Sequence, residues 1–224
     1  HRPNRRQRQM CIRDSRKPIS QDYMLPIEPL TDNQKVMFDA WDEGKMIYAY
    51  GVAGTGKTFV ALYKALKEVL DDYSPYEKIY IVRSLVATRE IGFLPGDHED
   101  KSSLYQIPYK NMVQAMFEMP DDNSYEMLYD NLKAQETISF WSTSFIRGTT
   151  LDNSIVIIDE CQNLNFHELD SIITRVGQDS KIIFCGDAAQ TDLQKISERT
   201  GIIDFQRIIQ NMDCLLYTSD AADD

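Results

Sequence analysis

The segment that most constrains this chain is an eight-residue loop at 51–58, Gly-Val-Ala-Gly-Thr-Gly-Lys-Thr. An apolar run at 46–50 precedes it and a helix-like pattern at 59–70 follows, the context of a phosphate-binding loop. Glycines at 51, 54 and 56 let backbone amides converge on an anion without obstruction. We expect Lys57 to reach the β- and γ-phosphates and the Thr58 hydroxyl to hold Mg²⁺. The residues predicted to surround a nucleoside triphosphate are Gly51, Val52, Ala53, Gly54, Thr55, Gly56, Lys57 and Thr58.

Length and composition limit the class of protein. A chain of 224 residues suits one domain with a sizeable core. The sequence shows neither a signal peptide nor an apolar run approaching the roughly 18 residues of a membrane span, so we expect a cytoplasmic protein without membrane contact. The cysteines are far apart, with no histidine pair nearby, which predicts reduced structural thiols rather than zinc ligands or disulfides. They are Cys11, Cys161, Cys185 and Cys214.

The two ends of the chain differ from its body. The net charge is −11, yet the first seventeen residues carry seven basic side chains against one acidic. Both ends resemble translated adapter sequence, and the basic arm lacks apolar periodicity. We therefore expect 1–17 to be a non-native or disordered flank and 214–224 a non-native flank of a single domain at 18–213, and a native C-terminus to be missing.

Apolar runs alternate with helical patterns through the body. Strands are predicted at 46–50, 78–83, 137–144, 154–159 and 181–185, and several are continuously apolar, as in parallel strands buried on both faces. Thr31 and Asp32 can cap a helix at 33–43 that ends at Gly44. A polar stretch near 97–135, with helices near 109–118 and 124–134, is interpreted as an insertion on the sheet. The pattern predicts an α/β fold with a mostly parallel sheet and helices on both faces.

Two predicted strands end in side chains suited to phosphate chemistry. The run 154–159 ends at Asp159 and is followed by Glu160, at the sheet edge where the phosphate loop also lies. We expect Asp159 to hold Mg²⁺ and Glu160 to deprotonate the water that attacks the γ-phosphate. Beyond 181–185, the Gln190 amide is expected to contact the γ-phosphate or that water. The predicted catalytic residues are therefore Lys57, Glu160 and Gln190, which favours hydrolysis.

Six segments in this order resemble the motifs of the PhoH-like ATPases. They are the phosphate loop, GFLPGD at 92–97 followed by Lys101, RGTTL at 147–151, IDECQN at 158–163, TRVG at 174–177 and GDAAQTDL at 186–193. The similarity spans about residues 30–208 and is strongest to short, phage-borne members. It implies a RecA-like P-loop NTPase fold, related to the superfamily 1 helicase core, and a link to phosphate starvation.

The resemblance also implies roles for single residues and for partners. It implies ATP and Mg²⁺ as ligands and an RNA helicase-like activity on single-stranded RNA. Gln34 looks like the glutamine that reads adenine in related helicases. Arg147 and Arg175 are candidates for an arginine finger, supplied across the subunits of a homo-oligomeric ring. Arg83 follows the second strand as in the family, although Ser84 stands where a proline is usual. Because family members continue into a further arginine-bearing segment, we expect weak turnover from this chain.

Other functions remain open on the sequence. Lys101, Tyr105, Tyr109, Lys110 and Lys133 could stack bases and neutralise phosphates, but the acidic body opposes strong nonspecific binding of nucleic acid. A P-loop kinase is an alternative, against which Glu160 argues because a kinase avoids hydrolysis. A nucleotide-dependent binding module or scaffold with slow turnover is another. A GTPase is not favoured, since no N-K-x-D-like guanine reader occurs.

Overall fold

The computed structural model describes residues 19–83, 98–143, 146, 148–187, 204–205, 207–209 and 215–219. Its helices are α1 (Asp32–Asp42), α2 (Lys57–Val69), α3 (His98–Met116), α4 (Asp122–Ala134) and α5 (Phe166–Ile173). Its strands are β1 (Ile47–Gly51), β2 (Lys78–Arg83), β3 (Ile138–Ser142), β4 (Ser154–Asp159), β5 (Lys181–Asp187) and β6 (Leu215–Ser219). Two short 3-10 helices span Gln21–Tyr23 and Cys161–Asn163.

The six strands form one sheet in the order β3-β2-β4-β5-β1-β6, and the five pairings among them are parallel. Parallel neighbours require a crossover connection, and α3 with α4 supplies the one from β2 to β3. The register aligns Gly51 with Asp187, and Arg83 with both Ser142 and Asp159. The carboxyl ends of these strands therefore meet at one edge, where open α/β sheets bind ligands. The predicted α/β class, a mostly parallel sheet with helices on both faces, is confirmed.

Apolar side chains cover both faces of the sheet. On one face, α1 to α4 pack against Ile79, Ile81, Ile155 and Ile157. On the other face, Val82, Val156 and Ile158 pack with residues that include Leu169 and Ile172 of α5. All six residues of β4 are buried, as expected of a strand between two layers. Because side chains alternate along a strand, Arg83 and Asp159 both point to the face that carries α2 and α3.

Most element boundaries agree with the sequence patterns, but the start of α3 does not. β2 and β4 coincide with the predicted runs 78–83 and 154–159. The predicted cap is confirmed, because the Thr31 side chain accepts from the backbone N–H of Gln34. In contrast, α3 begins at His98 rather than near 109 and contains Pro108 in its interior. A proline lacks the helical donor and usually ends a helix, so the local pattern pointed to a later start.

The segment at the C-terminal end of the described residues adds an edge strand. β6 pairs with β1, aligning Leu215 with Ile47. It lies within 214–224, and the expectation that this flank and residues 1–17 are not native stays a prediction. Among the described residues, none of the helices combines the length and apolar character needed to cross a membrane.

Candidate nucleotide site

A cleft of about 260 Å³ opens at the carboxyl edge of the sheet. The phosphate loop, the start of α2 and the ends of β4 and β5 line it. α3 also contributes to the wall through Met112. Five of the eight predicted phosphate-loop residues therefore share one cavity with Asp159 and Glu160. This cavity is the candidate site.

The phosphate loop curls because two of its glycines adopt left-handed backbone. Gly54 has φ of 80° and Gly56 has φ of 81°, a region that other residues rarely adopt. Gly56 is the N-cap of α2, so the first amides of this helix face the cleft. Lys57 is buried, and its Nζ donates to the carbonyls of Gly51 and Val52 at 3.1 and 2.6 Å. The ammonium group is thus held over the loop, at the place where phosphate oxygens would compete for it.

Gln34 connects α1 to the phosphate loop. Its Nε2 donates to the carbonyl of Thr55 at 3.0 Å, and its Oε1 accepts from the backbone N–H of Leu30 at 2.8 Å. A methyl group added at Gly56 would lie 3.0 Å from the same Nε2 atom. Gln34 therefore supports the loop from the side, and its role toward adenine stays a prediction.

Thr58 and Asp159 form an oxygen pair suited to Mg²⁺. The Thr58 hydroxyl donates to Oδ1 of Asp159 at 2.7 Å, across 101 residues of sequence. Mg²⁺ is commonly bound by one or two protein oxygens together with substrate phosphates and water, rather than by a full protein cage. Within the described ranges no group of three or more His, Cys, Asp or Glu residues could hold a metal ion. The two residues therefore fit a phosphate-bound Mg²⁺.

Glu160 stands in an unusual backbone conformation beside the metal pair. Its φ is 53°, a left-handed value that is uncommon for a residue with a side chain. The turn directs the chain from β4 into the 3-10 helix Cys161–Asn163. Gln162 stabilises it, because its Nε2 donates to the Glu160 carboxylate and its Oε1 accepts from the backbone N–H of Asp187 at 2.9 Å. Gln162 thereby ties the predicted base to the end of β5.

Tyr109 of α3 reaches the other oxygen of Asp159. Its hydroxyl donates to Oδ2 at 2.5 Å, and its ring packs on Phe140 with centroids 5.3 Å apart. Burial and the neighbouring Asp159 raise the pKa of Tyr109 far above its usual range, so the hydroxyl remains a donor. Burial lowers the pKa of Arg83, but Tyr109, Asp159 and Glu160 nearby raise it, and the net pKa is raised. A permanent positive charge therefore stands beside the two carboxylates.

Two cysteines lie behind the site as buried thiols. Burial raises the pKa of Cys161 to about 12 and that of Cys185 well above 9.0. Both are free cysteines. A Cβ at Gly186 would lie 2.6 Å from the Cys161 sulfur, so only glycine fits between these strand ends. The burial of both residues is what is expected of structural thiols.

The remaining predicted residues are not brought into the cleft. Arg175 follows α5, and its carbonyl accepts from the N–H of Leu151, ahead of β4. It therefore lies at the amino edge of the sheet, opposite the phosphate loop, where its Nε is buried without a partner among the described residues. Gln190 and Arg147 lie outside the described residues.

The predicted base-stacking surface is corrected at Tyr109. This residue is only 2% exposed, so it cannot stack on a base. Lys110 donates to Glu126 and lies 5.6 Å from the centre of the Tyr129 ring, so its charge is partly neutralised. Sequence reasoning missed Tyr109 and Gln162 as site residues. The only local signal was for Gln162, which stands two residues after Glu160.

Comparisons with known proteins identify the family of this chain. The profile of the family described as PhoH-like protein matches residues 26–219. A PhoH-like protein of Mycobacterium leprae is 31% identical over 188 residues, covering 84% of this chain and 51% of that protein. Protein PhoH of Escherichia coli is 28% identical over 172 residues, covering 76% of this chain and 46% of that protein. The chain thus spans about half the length of these curated relatives. A crystal structure of Bacteroides Pif1 bound to ssDNA shares 16% identity with this chain, and the match covers 86% of this chain and 42% of that one with a TM-score of 0.39.

Proposed function

The chain belongs to the PhoH-like protein family, and we propose that it binds ATP with Mg²⁺ and hydrolyses it in a cycle coupled to single-stranded RNA. The observation that carries the proposal is the hydrogen bond from Thr58 to Asp159. This bond joins the phosphate loop to the end of β4, where Asp159 is followed directly by Glu160. The groups needed for binding phosphates and for activating water therefore stand around one cleft.

Each residue of the cleft has a distinct task in this proposal. The amides of the loop and Lys57 bind the β- and γ-phosphates, and Thr58 with Asp159 would hold Mg²⁺. When bound there, Mg²⁺ would neutralise the negative charge that develops on the phosphates during hydrolysis. Gln34, which contacts the loop at Thr55, reads the adenine edge. Gln190 contacts the γ-phosphate.

Hydrolysis depends on Glu160 as the general base. A water oxygen forms a bond to the γ-phosphorus while the bond to the oxygen of ADP breaks, and Glu160 accepts the proton of that water. The side-chain amide of Gln162 holds the Glu160 carboxylate beside the carboxyl end of β4. A kinase would have to exclude water from such a base, so the position of Glu160 favours hydrolysis over transfer to a metabolite.

Coupling to RNA is what the resemblance to PhoH-like ATPases implies, and the charge of the chain limits it. The net charge of −11 disfavours broad electrostatic binding, so we expect few phosphate contacts and a shallow dependence on salt. Lys133 of α4 is exposed and offers one such contact. The site of action in this proposal is the cytoplasm of a bacterial or phage-infected cell.

A ring of subunits would explain how Arg175 takes part. An arginine at the amino edge cannot contact the γ-phosphate of its own subunit, so as a finger it would act on a neighbour. An arginine finger contributes roughly 10³ to 10⁵ in rate. Turnover per subunit should then rise steeply with protein concentration, and Arg175→Ala should remove that rise. A rate independent of concentration would refute the ring.

The test of the proposal is ATP turnover with and without a single-stranded RNA oligonucleotide, at about 50 mM salt where phosphate contacts are strong. We expect Mg²⁺-dependent release of phosphate that RNA accelerates. Release that RNA leaves unchanged would favour the scaffold. Transfer of the γ-phosphate to a metabolite would favour the kinase. An oligodeoxynucleotide of the same sequence shows whether the 2′-hydroxyl matters.

A further inference from the structure

We propose that Tyr109 is a positioning residue of the magnesium site, holding Asp159 in the orientation in which it can share a metal ion with Thr58. The inference rests on the proposed function, because it concerns the same metal and nucleotide. It assigns a role to α3, the long helix of the β2–β3 crossover. The observation behind it is that Tyr109, fifty residues before Asp159, donates to the carboxylate that β4 presents to the cleft.

The two oxygens of Asp159 have separate partners. Thr58 of α2 donates to Oδ1 at 2.7 Å, and Tyr109 of α3 donates to Oδ2 at 2.5 Å. A carboxylate held at both oxygens cannot rotate freely about its terminal bond. The contact with Tyr109 leaves Oδ1 on the side of Thr58, where the phosphate loop begins α2. Tyr109 therefore directs the carboxylate toward the metal position without occupying that position.

Burial makes the loss of this hydrogen bond costly. Tyr109 is 2% exposed and Asp159 is 9% exposed, so water cannot readily replace the lost donor. Partners that orient a metal-binding carboxylate commonly contribute 10- to 100-fold in metal affinity. Arg83 completes the arrangement, because it hydrogen-bonds the Tyr109 hydroxyl and stands near Asp159. The hydroxyl thus accepts from a cation and donates to an anion.

The chain provides a matched control for the hydroxyl. Tyr129 of α4 is 4% exposed, and its hydroxyl is buried without a partner among the described residues. Tyr129→Phe therefore removes a buried hydroxyl from the same helical layer without breaking a hydrogen bond. Tyr109→Phe keeps the packing on Phe140 and removes only the donor to Asp159. A difference in Mg²⁺ dependence between the two variants therefore results from the lost hydrogen bond to Asp159 and not from the packing of the aromatic ring.

The experiment measures binding of a fluorescent ADP to the full chain over a series of Mg²⁺ concentrations and in EDTA. We expect Tyr109→Phe to raise the half-saturating Mg²⁺ concentration by about tenfold, the lower end of the usual range. Affinity in EDTA should match that of Tyr129→Phe. Equal half-saturating concentrations in the two variants would overturn the proposal. A parent chain that binds no nucleotide at any Mg²⁺ concentration would instead remove the proposed function, and this inference with it.

A double-mutant cycle keeps the proposal falsifiable even where Tyr109→Phe lowers stability. Asp159→Ala, which removes both acceptor oxygens, is combined with Tyr109→Phe, and the thermal unfolding temperature of each variant is recorded beside its Mg²⁺ dependence. If Tyr109 acts through Asp159, its loss has no further effect on Mg²⁺ dependence once Asp159 is changed. Equal, additive shifts in both backgrounds would show that Tyr109 acts only on packing, and would refute the proposal.

Discussion

Replacing Glu160 by Gln should separate nucleotide binding from hydrolysis. The glutamine side chain has the same shape, and its carbonyl oxygen can still accept from Gln162, whose other end remains bound to Asp187. The left-handed turn after β4 is therefore expected to persist. What disappears is the group that accepts a proton from the attacking water. A general base contributes roughly 10² to 10⁴ in rate, equivalent to about 2.7 to 5.4 kcal/mol of activation free energy.

The assay compares steady-state phosphate release with ATP affinity measured by calorimetry. Glu118→Gln is the control, because it makes the same change of charge at an exposed residue outside the cleft. We expect Glu160→Gln to lose turnover by the stated factor and to keep the parent ATP affinity, while Glu118→Gln changes neither. A loss of affinity equal to the loss of turnover would show that Glu160 maintains the structure of the site and is not the base.

Two further predictions follow from buried contacts of the site. Gln34→Ala removes the hydrogen bond to the Thr55 carbonyl and the proposed adenine contact, so ATP affinity should fall about fivefold more than GTP affinity, the equivalent of one hydrogen bond. Equal losses for the two nucleotides in parallel titrations would mean that Gln34 only supports the loop. Cys161 and Cys185 should resist thiol reagents at pH 8 in the folded protein, because burial raises the pKa of Cys161 to about 12 and that of Cys185 well above 9.0. Above pH 9 the unfolded chain releases thiol protons that the folded chain retains, so the free energy of unfolding should fall as pH rises toward 12. Rapid alkylation of either cysteine before unfolding, detected by peptide mapping, would contradict the expected resistance to thiol reagents.

The parts of the fold that local patterns encode were predictable from the sequence. β2 and β4 are apolar runs with sharp polar ends, and the phosphate loop is a contiguous motif whose glycines need left-handed backbone. Parallel strands place their carboxyl ends together, which is why Lys57 and Asp159 could be assigned to one edge before the topology was known. These features depend on residues that are near in sequence or on rules shared by all parallel sheets.

The parts that depend on distant packing were not predictable. Pro108 argues locally against a helix, yet α3 runs through it, because the packing of Tyr109 and Val113 on the sheet outweighs one lost donor. Tyr109, which the sequence pattern assigned to base stacking, is instead buried against Asp159. The role of Gln162 depends on the close approach of the 3-10 helix Cys161–Asn163 to β5 at Gly186. The periodicity of a single sequence does not indicate contacts between residues that are distant along the chain.

The most direct test of the account is nucleotide binding by Lys57→Ala compared with Lys67→Ala. Both lysines lie on α2, but Lys57 is buried at the loop and Lys67 is exposed on the same helix. Calorimetry with ATP and Mg²⁺ should show binding by the parent and by Lys67→Ala, and loss of tight binding by Lys57→Ala, because the backbone alone leaves the β/γ charge uncompensated. Equal affinity for all three proteins would contradict the assignment of this loop as the phosphate site.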